Sequence, residues 1–92
     1  MSNEKKVFAP TVHLNGSGRA SLLDGYREAC DALAKALVAL CETQPHPRDY
    51  YVQDGGGETY RAARKQHQER VARLQQLSEE LKCLYWAVVE QG

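Results

Sequence analysis

The apolar positions of this chain fall into two long stretches with one rhythm. From Ser21 onward, Tyr26, Cys30, Leu33, Leu37 and Leu40 recur at spacings of four, three, four and three. That is a heptad seam, which lays a single apolar stripe along an α-helix. Alanines 29, 32, 34, 36 and 39 favour helix and, being small, let a neighbour approach closely. Ser21 followed by Asp24 has the spacing of a capping box, and Ser17 offers a cap for an earlier start. Gly25 weakens this first turn by about 1 kcal/mol relative to alanine. Pro45 and Pro47 end the helix near Thr43. The second stretch runs from about Glu58 to Val89, with seam positions Tyr60, Ala63, His67, Arg70, Leu74, Leu77, Leu81, Leu84 and Val88, and Val71 beside Arg70. At 1.5 Å per residue the helices are about 33 and 48 Å long, so the second overhangs the first.

The remaining segments lack a helical period. Residues 1–6 are polar and charged and predict a disordered tail. Residues 7–20 mix β-branched and aromatic side chains with a proline and two glycines, which predicts an extended arm ending in a turn. Within it Val12 and Leu14 share one side of a short strand and His13 takes the other, and such a strand needs an edge to pair with. The connection, residues 44–57, is longer than the usual link between packed helices, and loops of that length are often functional or disordered. Its adjacent Tyr50 and Tyr51 argue for packing, since each has a large ring to bury. The DGGG run is a hinge into the second helix, capped by Asp54 or by one of its glycines.

These elements predict a single all-α domain over 1–92: a two-helix antiparallel hairpin, helix 1 at 21–43 and helix 2 at 58–89, with an extended N-terminal arm and a long inter-helix loop. Two helices bury only the strip between them, yet Leu22, Leu23, Val38, Tyr85, Trp86 and Val89 do not all fit that strip. A helical-bundle oligomer of hairpins would hide them. The alternative is a monomer whose arms cover the hairpin.

Composition narrows the function classes. The chain has 92 residues with 12 basic and 12 acidic side chains, a formal charge of zero, which argues against whole-surface attraction to a nucleic-acid polymer or an anionic membrane and leaves only a local basic patch for that role. The nearly apolar run Ala32 to Cys41 is far short of the roughly 20 residues that span a bilayer. The start, MSNEKKVFAP, lacks the apolar stretch of a secretory signal, so the expected location is the cytoplasm. Cys30, Cys41 and Cys83 are odd in number and far apart, and are expected to be buried thiols packing like alanine.

Candidate chemistry lies where polar residues interrupt the second seam. His67 and Arg70 occupy core-facing positions within the only markedly positive segment, Arg61 to Arg73, which holds five Lys or Arg residues and one acid, Glu69. Arg64 and Arg70 offer forked donors for a phosphate or carboxylate and His67 a further donor. A purely structural account pairs those arginines with acids of the first helix such as Asp31 and Glu42. The HLNGSG loop brings His13, Asn15, Gly16 and Ser17 before a helix start, where backbone amides can receive an oxyanion. It is neither GxGxxG nor a Walker loop. The RDYY segment combines Arg48 and Asp49 with Tyr50 and Tyr51, residues that stack on a nucleobase or fill a partner's pocket. The histidines sit at unrelated spacings, no cofactor or metal is implied, and no nucleophile motif predicts an enzyme.

In TVHLNGSGRASLLDGY, and in RDYY followed by AARKQHQERVARLQ, the chain resembles a family of small uncharacterised proteins of phages and prophages. Its members read HLNG[ST] before the first helix and GRDYY in the connection, where this chain has PRDYY. The resemblance implies a phage setting and no activity. By analogy of size and class, it suggests a non-enzymatic, homo-oligomeric anti-defence protein that sequesters a small anionic nucleotide immune signal in the host cytoplasm. Arg64, His67 and Arg70 would hold phosphate, the HLNGSG amides would close the site, and Tyr50 or Tyr51 would stack on the base. Two alternatives are a protein-binding inhibitor of a host defence complex, as in proteins that block CRISPR complexes, with RDYY and Trp86 as anchors, and a structural adaptor of the phage particle.

Overall fold

The computed structural model describes residues 6–91. The tail expected over 1–6 lies, Lys6 apart, outside the described residues. Two long helices, α1 (Arg19–Cys41) and α2 (Gly56–Val89), form an antiparallel hairpin, and a single 3-10 turn at Pro47–Asp49 interrupts the connection between them. No strand occurs among the described residues. At 23 and 34 residues the helices are about 35 and 51 Å long, and α2 overhangs as the spacing predicts. The molecule measures 62 × 30 × 16 Å, a slab one helix thick.

Both helices begin two residues earlier than the apolar pattern places them, and α1 does not use the side-chain cap expected. Gly18 caps α1 without a side-chain hydrogen bond, so the Ser21–Asp24 capping box does not form; both residues already lie inside the helix. Gly55 caps α2 from the left-handed region, φ 67°, which favours glycine. Of the two caps proposed for the hinge, the structure uses a glycine rather than Asp54. Gly56 then permits the connection to lie directly on the first turn of α2. A Cβ at this position would run into the Tyr50 carbonyl oxygen and come within 3.0 Å of the Tyr51 Cα.

The connection thereby covers part of the overhang. The Tyr50 ring tilts against Tyr60, centroids 6.2 Å apart. The 3-10 turn is capped by the His46 ring, whose Nδ1 accepts from the Arg48 amide at 3.2 Å. Thr43 closes α1 by donating its hydroxyl to the Leu40 carbonyl oxygen at 2.7 Å.

At the opposite end the arm docks on the finish of α2. It is extended but is not a strand, and its edge is a side chain. The Gln91 carboxamide accepts from the Val12 amide at 2.7 Å and donates to the Pro10 carbonyl oxygen at 2.8 Å, which reproduces with one side chain the paired bonds a neighbouring strand would supply. Leu14 is 98% exposed, so it does not share a buried face with half-buried Val12. Arg19, the first residue of α1, donates to the Val89 carbonyl oxygen at 3.1 Å. A cation there answers the partial negative charge at the end of α2.

The core is small. Leu23 and Val88, near this same end, are the buried hydrophobic residues among those described, with His67 the buried polar one. The remaining α1 seam positions, Tyr26, Cys30, Leu33, Leu37 and Leu40, are half-buried. Along α2 the seam after His67 is Val71, Leu74, Ser78, Leu81, Tyr85 and Val88, not the frame through Arg70 and Leu77. Both frames alternate fours and threes, and the side chains at 70 and 77 lie one position off the strip that meets α1. Arg70 is accordingly exposed, and Leu77 is 45% exposed. The cysteines also depart from expectation: Cys30 is half-buried, while Cys41 and Cys83 are exposed. A hairpin one helix thick has too little interior to take them.

Candidate functional site

Antiparallel register locates the sequence candidates relative to one another. Arg27 donates to the Tyr85 hydroxyl, and Leu33 and Leu37 share a groove with Leu74 and Ser78. Continued along α2, that register sets His67 level with residues 44 and 45, just past the end of α1. His67 is 6% exposed, and it is the polar seam residue for which the sequence expectation of a core position holds. Neither of its ring nitrogens is both sealed from water and unpartnered.

Arg64, His67 and Arg70 do not converge on one pocket. Helix geometry advances about 100° per residue, so Arg64 and Arg70 stand about 60° to either side of His67. With His67 pointing at the hairpin seam, the two arginines occupy opposite flanks of the slab, and both are exposed. Their expected structural partners are also absent. Among the described residues the ion pairs are Arg27–Asp24 at 3.3 Å and Lys82–Glu79 at 3.6 Å. Neither Asp31 nor Glu42 pairs with a cation of the Arg61–Arg73 segment. The Arg27 guanidinium is held above the usual arginine range, first by its hydrogen bond with Tyr85.

The ten candidates divide between the two ends of the hairpin. His13, Asn15, Gly16 and Ser17 belong to the arm end, where the Gly16 amide donates to the His13 carbonyl oxygen at 3.2 Å in a tight turn. The His13 ring lies over Gly16, whose absent Cβ would stand 2.6 Å from Nε2. Arg48, Tyr50, Tyr51, Arg64, His67 and Arg70 belong to the connection end. His67 stands 22 residues before Val89, the residue Arg19 touches, a separation of about 33 Å along α2. One chain therefore cannot close the HLNGSG loop over the arginines.

The connection end does gather a usable subset. The fold seats the Tyr50–Tyr51 backbone on the first turn of α2, and Arg61 and Arg64 follow in its second and third turns. Tyr51 and Val52 are 75% and 76% exposed, whereas Tyr50 is engaged with Tyr60. Tyr51, not Tyr50, has a free ring face. Arg48 is exposed at the same end.

A second feature was not visible as a motif. On the flank of the slab that carries Arg64, an open groove of about 500 Å³ runs between the helices, lined by Leu33, Ala34, Leu37, Leu74, Gln75, Ser78, Glu79 and Lys82. Its one readable sign was the alanine run of α1, which makes the wall low at Ala34.

Among the described residues, no cluster of three or more His, Cys, Asp or Glu could hold a metal ion, and no helix is long and apolar enough to cross a membrane. No protein-family model matches the chain, and neither the curated proteins nor the solved structures include a match.

Proposed function

We propose that this chain is a non-enzymatic binding protein that captures a small anionic ligand of nucleotide type at its connection end, as a phage protein acting against host defence. One observation carries the reading. The five cations between Arg61 and Arg73 have no acidic partner within ion-pair distance among the described residues, in a chain of zero net charge. Unneutralised guanidinium groups on one short segment create a local field suited to phosphate or carboxylate. Arg48 and Arg64 are the phosphate donors, Arg61 supplements them, and the exposed Tyr51 ring stacks on a base. Arg70, on the far flank, contributes field rather than a shared contact. The HLNGSG residues His13, Asn15, Gly16 and Ser17 join such a site only if another copy supplies them. The phage setting follows from the resemblance of the HLNGSG and RDYY motifs alone.

Calorimetric titration with cyclic nucleotides and ADP-ribose derivatives tests this. The expected result is a dissociation constant of about 10 µM or tighter for one of them, weakened about tenfold or more by Arg64→Gln with an unchanged helical circular dichroism spectrum. Failure of the whole panel to bind tighter than about 1 mM ends the proposal.

A second reading draws on a separate observation, the exposed Tyr51, Val52 and Trp86. Exposed aromatic anchors suit an inhibitor that docks on a host defence protein. Recovery of one stoichiometric partner from host lysate, lost in a Tyr51→Ser and Trp86→Ser variant, favours that reading over ligand capture.

A further inference from the structure

We infer that the groove face of the hairpin is covered by a second copy of this chain, seated over the half-buried Leu33, Leu37, Leu74 and Ser78 and the exposed Ala34. The first argument is area. The chain exposes 7213 Å², against about 5,400 Å² for a folded monomer of 10.3 kDa. The six residues outside the description account for at most about 1,000 Å², their fully unfolded surface. At least about 800 Å² of excess remains, the amount that each partner loses in a stable dimer.

The second argument is charge, and it selects the stretch of α2 involved. Between Gln75 and Lys82 the groove rim carries one acid and one base, Glu79 and Lys82. A rim whose acid and base already pair within one copy, at 3.6 Å, is balanced and can meet its own copy across a two-fold axis without repulsion. The Arg61–Arg73 segment, with five cations against the single acid Glu69, would set mostly like charges together in such a pairing and would be repelled. A second copy therefore sits on the central and arm-end part of the slab and leaves the connection end free.

The third argument is shape. A slab 16 Å thick is one layer, and helical domains acquire a core from two layers whose axes stand about 8–10 Å apart. Ala34 and Ser78 are small enough to admit the leucines of an opposing hairpin at that spacing. This arrangement does not depend on the anion-binding reading.

Sedimentation equilibrium of the full chain, with variants on each face, tests the assignment. The wild type should be dimeric, or a larger even assembly, at about 100 µM. Ala34→Glu should raise the dissociation constant about 100-fold or more, because it places a charge in the dry centre of the interface. Leu77→Glu, on the opposite flank, should leave the mass unchanged. If Ala34→Glu loses its helical circular dichroism, Ser78→Glu, from the facing helix, decides in its place. A monomeric wild type, a groove variant that folds and stays dimeric, or dissociation by Leu77→Glu and not by the groove variants each overturns the proposal.

Discussion

The two ends of this hairpin solve opposite problems. At the arm end the chain consumes its own polar groups: Gln91 holds Val12 and Pro10, Arg19 holds Val89, and the two buried hydrophobic residues, Leu23 and Val88, lie nearby. At the connection end the packing is thinner. It rests on Tyr50 against Tyr60, Gly56 beneath the Tyr50 backbone and the buried ring of His67. The cations above it have no acidic partner among the described residues. Tertiary structure is made at one end, and exposed charge is left over at the other.

The largest test of this division is at Val88, which is fully buried. Val88→Asp places an unpaired carboxylate among the few apolar contacts that fix the hairpin, and the cost of several kcal/mol is comparable to the whole stability of a chain this size. Loss of the cooperative thermal transition by circular dichroism is the expected outcome. A variant that melts within a few degrees of wild type would show that the arm end is not where the fold is secured.

Most of that fold was legible in the spacing of apolar residues, because two heptad stripes joined by prolines and glycines leave few alternatives to a hairpin. Its details escaped for local physical reasons. Arg70 and Val71 each continue an alternation of fours and threes from His67, and only the direction of α1 settles that Val71 faces inward. Leu77 looked like core and Ser78 did not, although the groove is built on Ser78. The arm was correctly extended but was expected to find a strand edge. No pattern in sequence announces that a glutamine 79 residues beyond Val12 will provide it. The candidate site was divided for the same reason: motif residues carry no record of which end of a helix they reach.

At the connection end, Gly56→Ala is the next largest effect. The added methyl meets backbone atoms of Tyr50 and Tyr51, which cannot swing aside as a side-chain tip can. Displacing the connection should cost about 1–3 kcal/mol in a urea melt. The displaced Tyr50–Tyr51 segment should also show faster amide exchange than in wild type. Unchanged stability would mean that the connection does not need its close seat on α2.

Back at the arm end, Gln91→Ala should cost about 1 kcal/mol by removing two hydrogen bonds from an exposed site. The more telling readout is local. Exchange of the Val12 amide should accelerate while that of α1 and α2 amides holds, since the arm is released and the hairpin is not. Equal acceleration throughout the chain would make the arm part of the cooperative core.

The smallest effect has the opposite sign and uses the same substitution in the other helix. Gly25 lies inside α1 with nothing within 4 Å of its missing Cβ, so alanine there meets no neighbour and only reduces the freedom of the unfolded chain. Gly25→Ala should stabilise by about 0.5–1 kcal/mol, where Gly56→Ala destabilises. The two glycines lie near opposite ends of the hairpin. The sign of each change, read from the midpoint of one urea titration, reports whether the surface above that helix is open or taken. A loss of stability at Gly25 would place a neighbour over the arm end of α1, one that the described residues of a single copy do not supply.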